Sequence, residues 1–343
     1  MKIQVTTPNR VDFAGGTLDL YPLYLLFEGG LTINAGITVF SNVVIETRND
    51  PEIHINSRDL KIEEKYDNLD SLTLQGPSAL IQRAVKSYSP AFGINISTFN
   101  HAPKGSGLGA SSSLLIALSV ALQKIRNPDT EIDETRLIDR AAAIEAALLG
   151  IPTGKQDYYG AYLGKVHALH FDEKGCDYRS LIINSNFEEQ LNQCLTVSFT
   201  GISHYSGANN WDMLKMAIEK QGATYENLLK IKEVTQKMEE AFKEEDIEKI
   251  GNLVNQEWKY RKILSPGVTN DFIDNIISAL EEVGAYGSKL CGAGGGGCMI
   301  TLASPDKKEK IKAKLEDMGV RVMDARIASH GVNIEIKKQP ASV

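Results

Sequence analysis

The stretch Ala102–Ala121, APKGSGLGASSSLLIALSVA, runs from glycines and serines straight into an unbroken apolar helix pattern. Unpaired backbone N–H groups and the positive end of the dipole converge where such a helix begins, so an anion belongs there. Gly105, Gly107 and Gly109 let the backbone approach a ligand and take conformations closed to other residues. Ser111, Ser112 and Ser113 supply capping oxygens or hydroxyl ligands. The natural guest is a phosphate; the bland alternative is a serine-capped turn ahead of a core helix.

A dinucleotide reading fails on context. Gly105-x-Gly107-x-x-Ala110 satisfies a permissive GxGxxG/A pattern, but no second strand ending in an acidic residue comes after the helix; the chain enters the polar, then helical NPDTEIDETRLIDRAAAIEAALLG. The GxxxxGK[ST] pattern is absent too. If the loop holds a nucleotide phosphate, it does so in another fold.

Composition sets the surroundings. The 343 residues predict two domains, and 42% hydrophobic with 24% charged residues describe a globular chain with ample core material. A net charge of −7 argues against nucleic-acid or anionic-membrane partners. Cys176, Cys194, Cys291 and Cys298 show no CxxC spacing and read as reduced thiols. MKIQVTTPNR has no apolar signal core and no run approaches a membrane span, which predicts a cytoplasmic protein.

Along the chain, KIQVTT, LTINAGITVFSNVVIETR, EIHINS and FGINISTF read as strands, with PSALIQRAVKSY as a helix between them. Helical pattern runs from Ser111 to Leu149, broken by RNPDTEID. KVHALHF and LTVSFTG return to strands. Helical periodicity resumes from Asn210 to Ile263 and in NDFIDNIISALEEVG. MITLAS, VRVMDARI and GVNIEIK are strands around the helix KKEKIKAKLEDMG. Polar punctuation between residues 172 and 192 places a domain boundary there, dividing the chain into 1–180 and 181–343, two α+β layers. Trp211, Trp258, His204 and Tyr205 could line a pocket, but large aromatics at such positions read first as core.

Two further segments carry chemistry. Leu137, Ala141, Ile144 and Leu148 form a buried helical stripe, and Glu145 lies beside it, where a carboxylate needs a partner unless it sits at the water's edge. A hard cation such as Mg²⁺, bound by carboxylate and hydroxyl oxygens and bridging phosphates, would satisfy it. Asp157 in LGIPTGKQDYYGAYLG is either a turn cap or a reacting carboxylate. In KLCGAGGGGCMI five of the six residues 292–297 are glycine. A run that gives up chain entropy and packs no side chain points to close backbone approach, to a ligand or to another loop.

These three segments, with PNRVDFAGGTLDLYPLY near the start, resemble the GHMP kinase superfamily, which includes galactokinase, homoserine kinase, mevalonate kinase, phosphomevalonate kinase and the heptose-phosphate kinases. The resemblance runs from about Pro8 to about Met299, in the family's order. It implies an α+β fold with a ribosomal-S5-like N-terminal domain, a ferredoxin-like C-terminal domain and a site between them. It implies ATP and Mg²⁺ as cofactors. The phosphate loop matches Pro103, Lys104, Gly105, Ser106, Gly107, Leu108, Gly109, Ala110, Ser111, Ser112 and Ser113. Ala110 replaces the family's first serine, leaving Ser111 or Ser112 as the hydroxyl ligand of the metal beside Glu145. Asp157 matches the catalytic aspartate, and Arg10 matches an arginine near the transferred phosphate, with Lys155 as a second candidate cation. Asp19 falls at a substrate-hydroxyl aspartate, Gly16 and Thr17 replace a sugar-binding Glu and His, and the run containing Gly294 and Gly295 lies over the phosphates, which makes Asp19, Gly16, Thr17, Gly294 and Gly295 the candidate substrate-binding residues.

The resemblance also implies an activity, transfer of the γ-phosphoryl group of ATP to a substrate hydroxyl. The FAGG form points first to a sugar or sugar-phosphate kinase, heptose-7-phosphate-kinase-like or galactokinase-like and acting on the anomeric hydroxyl. A mevalonate-type kinase comes second, and a kinase-like sensor without catalysis is the alternative of another class. The expected assembly is a monomer or homodimer.

Overall fold

The structure is a computed structural model and describes residues 1–182, 184–203 and 206–337; His204 and Tyr205 fall outside them. The first half contains strands β1 (Lys2–Ala14), β2 (Gly30–Thr47), β3 (Ile53–Ser57), β4 (Ile62–Tyr66), β5 (Ile94–Asn100), β6 (Val166–Asp172) and β7 (Gly175–Ser180). Its helices are α1 (Leu23–Leu26), α2 (Ala79–Tyr88), α3 (Ala110–Arg126), α4 (Glu134–Leu149) and α5 (Gln156–Leu163). The second half holds α6 (Ser185–Cys194), β8 (Leu195–Phe199), α7 (Ser206–Ile218), α8 (Thr224–Lys243), α9 (Ile247–Arg261), α10 (Asp271–Glu282), β9 (Ala285–Leu290), β10 (Cys298–Ala303), α11 (Lys308–Asp317) and β11 (Arg321–Met323). A last strand, β12 (Asn333–Lys337), crosses back.

The larger sheet runs β12-β1-β2-β5-β3-β4, with β6 on β2 and β7 on β6. The smaller runs β11-β8-β10-β9, all antiparallel. Counted within the second half this is the order 4-1-3-2 of a ferredoxin-like sheet, as expected. The expected division after residue 180 falls between β7 and α6, whereas β12 pairs with β1 from Lys2↔Lys337 to Thr6↔Asn333.

Burial explains where the site lies. Residues 2–7 of β1 alternate between partly and fully buried, as one face of a sheet requires, but residues 7–14 are buried without a break. The reason is a shared core: Val11, Phe13 and Ile33 of the first half pack with Val197, Met238, Phe242 and Ile300 of the second. The far end of β1 is thereby held between the halves. Helix α3 is apolar nearly all round and lies in the core of the first half.

Most expected elements are present. Three strands were not expected: IEEKY (β4), GCDYRS (β7) and AYGSKL (β9). VRVMDARI forms a strand only over Arg321–Met323. Trp258 is core, while Trp211 is exposed, which corrects its reading as core. No two of the four cysteines are joined, and no helix among the described residues is long and apolar enough to cross a membrane.

Candidate active site

The glycine-serine loop turns into α3 at Ala110. Gly107 and Gly109 have φ of +69° and +68°, where a side chain is strained, and both lie against neighbours. A Cβ on Gly107 would sit 2.6 Å from the Cys291 carbonyl oxygen, and one on Gly109 would sit 3.1 Å from the Asp157 side chain. The loop is fastened on both sides. Arg10 N–H donates to the Leu108 carbonyl at 2.9 Å, and Cys298 N–H donates to that of Ser106 at 2.6 Å. Ser106 N–H donates to the Pro103 carbonyl, and Ser203 Oγ to that of Lys104. The 292–297 run lies against this loop, with Gly292 on Gly107 and Gly297 on Ser106. Its Gly295 N–H donates to the Val268 carbonyl, and Gly294 packs on the same residue.

At the start of α3 the three serines divide. Ser111 and Ser112 both donate to Glu145, Ser112 at 2.9 Å, and Tyr158 donates to the same carboxylate. Glu145 is buried, not water-facing, and burial raises its pKa although the three hydroxyls pull it back. Ser113 Oγ instead bonds Thr7 and Ser41, at 2.9 and 2.8 Å, and fastens α3 to the large sheet.

Between the loops stands a cluster of charges. The buried Arg10 guanidinium donates to Asp157 Oδ1 at 2.6 Å and also reaches the Gly107 carbonyl. Asp157 is partly exposed; burial raises its pKa and Arg10 opposes the rise. On the other side Arg10 lies 3.6 Å from Asp12, which accepts from Lys289 and, at 2.9 Å, from Gly292 N–H. Burial acts to raise the Asp12 pKa, but Lys289, Arg10 and Arg261 outweigh it and hold the carboxyl below the usual range. Lys289 is 3.5 Å from Glu257, which pairs with Arg261 at 2.5 Å. Arg261 donates to the Gly16 carbonyl at 2.7 Å and lies 3.4 Å from Thr17 Oγ1. Asp19 accepts from Gln156 N–H at 2.9 Å, and burial pushes its pKa up to about 6. Lys155 points elsewhere: its ammonium donates to Asp139 of α4 at 2.6 Å.

Asp12, Glu257, Arg261 and Lys289 escaped the sequence reading. Their signals were an aspartate inside the apolar VDFA, a Glu and an Arg four apart around Trp258, and a lysine inside a strand.

The model for the GHMP kinases N terminal domain matches residues 79–165, and that for GHMP kinases C terminal matches residues 238–321. The chain belongs to the GHMP kinases. Among curated relatives, the D-glycero-alpha-D-manno-heptose 7-phosphate kinase of Campylobacter jejuni is 29% identical over 338 residues, covering 96% of this chain and 98% of that one. The mevalonate kinase of Pyrococcus abyssi is 27% identical over 71% of this chain and 69% of its own. Among solved structures, a D-glycero-D-manno-heptose 1-phosphate kinase from Bacteroides thetaiotaomicron superposes with a TM-score of 0.80 at 24% identity, covering 98% of this chain and all of the other. Lactococcus lactis galactokinase superposes at 0.77 and 19%, over 97% and 95%. As a GHMP kinase the protein is a phosphotransferase with ATP as its phosphate donor.

Proposed function

We propose that this GHMP kinase phosphorylates the anomeric hydroxyl of a sugar phosphate of the heptose 7-phosphate class. The observation that carries the reading is the Arg10–Asp157 pair set against the Gly107–Gly109 turn. It places a carboxylate and a cation beside the start of a helix whose N–H groups suit phosphate. The 29% identity to the Campylobacter jejuni kinase over nearly all of both chains supports the substrate class.

In this reading the substrate enters between the halves, against Asp19, Gly16 and Thr17. Asp157 orients the acceptor hydroxyl and takes its proton as the oxygen–phosphorus bond forms and ADP leaves. Arg10 offsets charge on the transferred group, a task of positioning and electrostatics. Lys155, bound to Asp139, has no part in it. Glu145 with Ser111 or Ser112 would hold Mg²⁺: one buried carboxylate and two hydroxyls, all hard oxygens, fit a cation that takes few protein ligands and completes its shell with phosphate and water. When bound, the metal neutralises phosphate charge.

The test is ADP release on D-glycero-D-manno-heptose 7-phosphate, galactose, fucose and mevalonate, with Mg²⁺ present and omitted. Turnover is expected on the heptose phosphate, dependent on Mg²⁺, with a phosphate on the anomeric carbon by ³¹P NMR. Turnover on mevalonate alone overturns the reading.

A further inference from the structure

Three polar side chains from three elements converge on Gly16. A Cβ there would lie 3.0 Å from Gln156 Nε2, 3.4 Å from Arg261 NH2 and 3.5 Å from Asp12 Oδ2. A side chain at this position would press on all three groups. Arg261 and Asp12 are committed to Glu257, the Gly16 carbonyl, Lys289 and Gly292. Gln156 is not. Its N–H donates to Asp19 and its carbonyl accepts from Asn34 at 2.7 Å, but its side-chain Oε1 is buried with no hydrogen-bond partner among the described residues. Such an acceptor carries a desolvation penalty that only a ligand or water relieves. Gln156 also directly precedes Asp157 in the first turn of α5.

We propose that Gln156 is a specificity-determining residue, whose carboxamide accepts a hydrogen bond from the hydroxyl on the carbon next to the one phosphorylated. The inference rests on the sugar-kinase reading. The two residues begin the same helix, Asp157 set at Gly109 and Gln156 reaching to Gly16: Asp157 takes the reacting hydroxyl and Gln156 the adjacent one. Mevalonate carries only hydrogens on the carbon beside its primary hydroxyl and would leave the amide unpaired. A site built to bind a hydroxyl discriminates steeply against an analogue lacking it.

The test compares kcat/KM for D-glycero-D-manno-heptose 7-phosphate and its 2-deoxy analogue in the wild type, Gln156→Met and Gln156→Asn. The wild type is expected to prefer the full sugar by at least about 10²-fold. Gln156→Met, close in size without the amide, should bring the ratio to within about tenfold of unity, by losing activity on the full sugar and not on the analogue. The KM for ATP should hold, showing an intact fold. Gln156→Asn, whose amide is one methylene short, should lose the preference likewise and serves if the Met variant does not fold. If the wild type accepts both sugars equally, or the variants keep its preference, Gln156 does not read the sugar and the sugar-kinase reading survives. If the wild type phosphorylates neither sugar, both readings fall together.

Discussion

At the scale of single residues the proposed mechanism turns on Asp157. Asp157→Asn keeps size and removes basicity, so kcat should fall by about 10²–10⁴-fold. ATP affinity by calorimetry should hold, because in the proposed reading the nucleotide is bound through the loop and metal and not through Asp157. A variant that turns over at the wild-type rate would return Asp157 to a turn cap. The pH profile gives an independent check. A base must be deprotonated, and burial raises the Asp157 pKa against the pull of Arg10, so kcat should fall with decreasing pH above the ordinary carboxylate range. Arg10→Met removes the opposing cation and should shift that acidic limb to higher pH; an unmoved limb assigns the titration elsewhere, with Asp19 the nearest candidate. The residues legible in sequence were those with a local signature, such as Glu145 stranded beside an apolar stripe. Gln156 had none: its importance appears only where Gly16, 140 positions earlier, meets it.

At the scale of elements, the two glycine segments work as one unit. Gly107→Ala adds a methyl 2.6 Å from the Cys291 carbonyl at a φ of +69°. The strain should cost about 1–3 kcal/mol. We expect a raised KM for ATP with a lowered melting temperature, and unchanged values for both would show that the loops do not need this contact. The loop, α3, α4 and the buried strands were readable because apolar periodicity and glycine punctuation are local properties. The strands β4 and β7 were not. IEEKY and GCDYRS carry little apolar alternation and contain no fully buried residue, so pairing with β3 and β6, not their own sequence, makes them strands.

At the scale of the whole molecule, the buried charges Arg10, Asp12, Lys289, Glu257 and Arg261 tie the halves together where the site lies. Lys289→Met leaves Asp12 buried without its cation, and breaking such a pair costs about 3–5 kcal/mol. Denaturant titration should show that loss, with most of it recovered in Asp12→Asn/Lys289→Met; a stable single variant would mean that Arg10 and Gly292 suffice for Asp12. The two-layer architecture was legible through resemblance and element order. The junction was not, because its central partners, Asp12 and Lys289, stand 277 positions apart and no local pattern joins them. The return of β12 to β1 has a consequence in time. The ribosome releases β1 first and its neighbour β12 after every other strand, so one side of β1 stays unpaired through nearly all of synthesis, and such an edge invites other chains. Nascent chains stalled before Asn333 should therefore be captured by holding chaperones, and purified chains cut after Val332 should aggregate, whereas chains that include β12 should do neither.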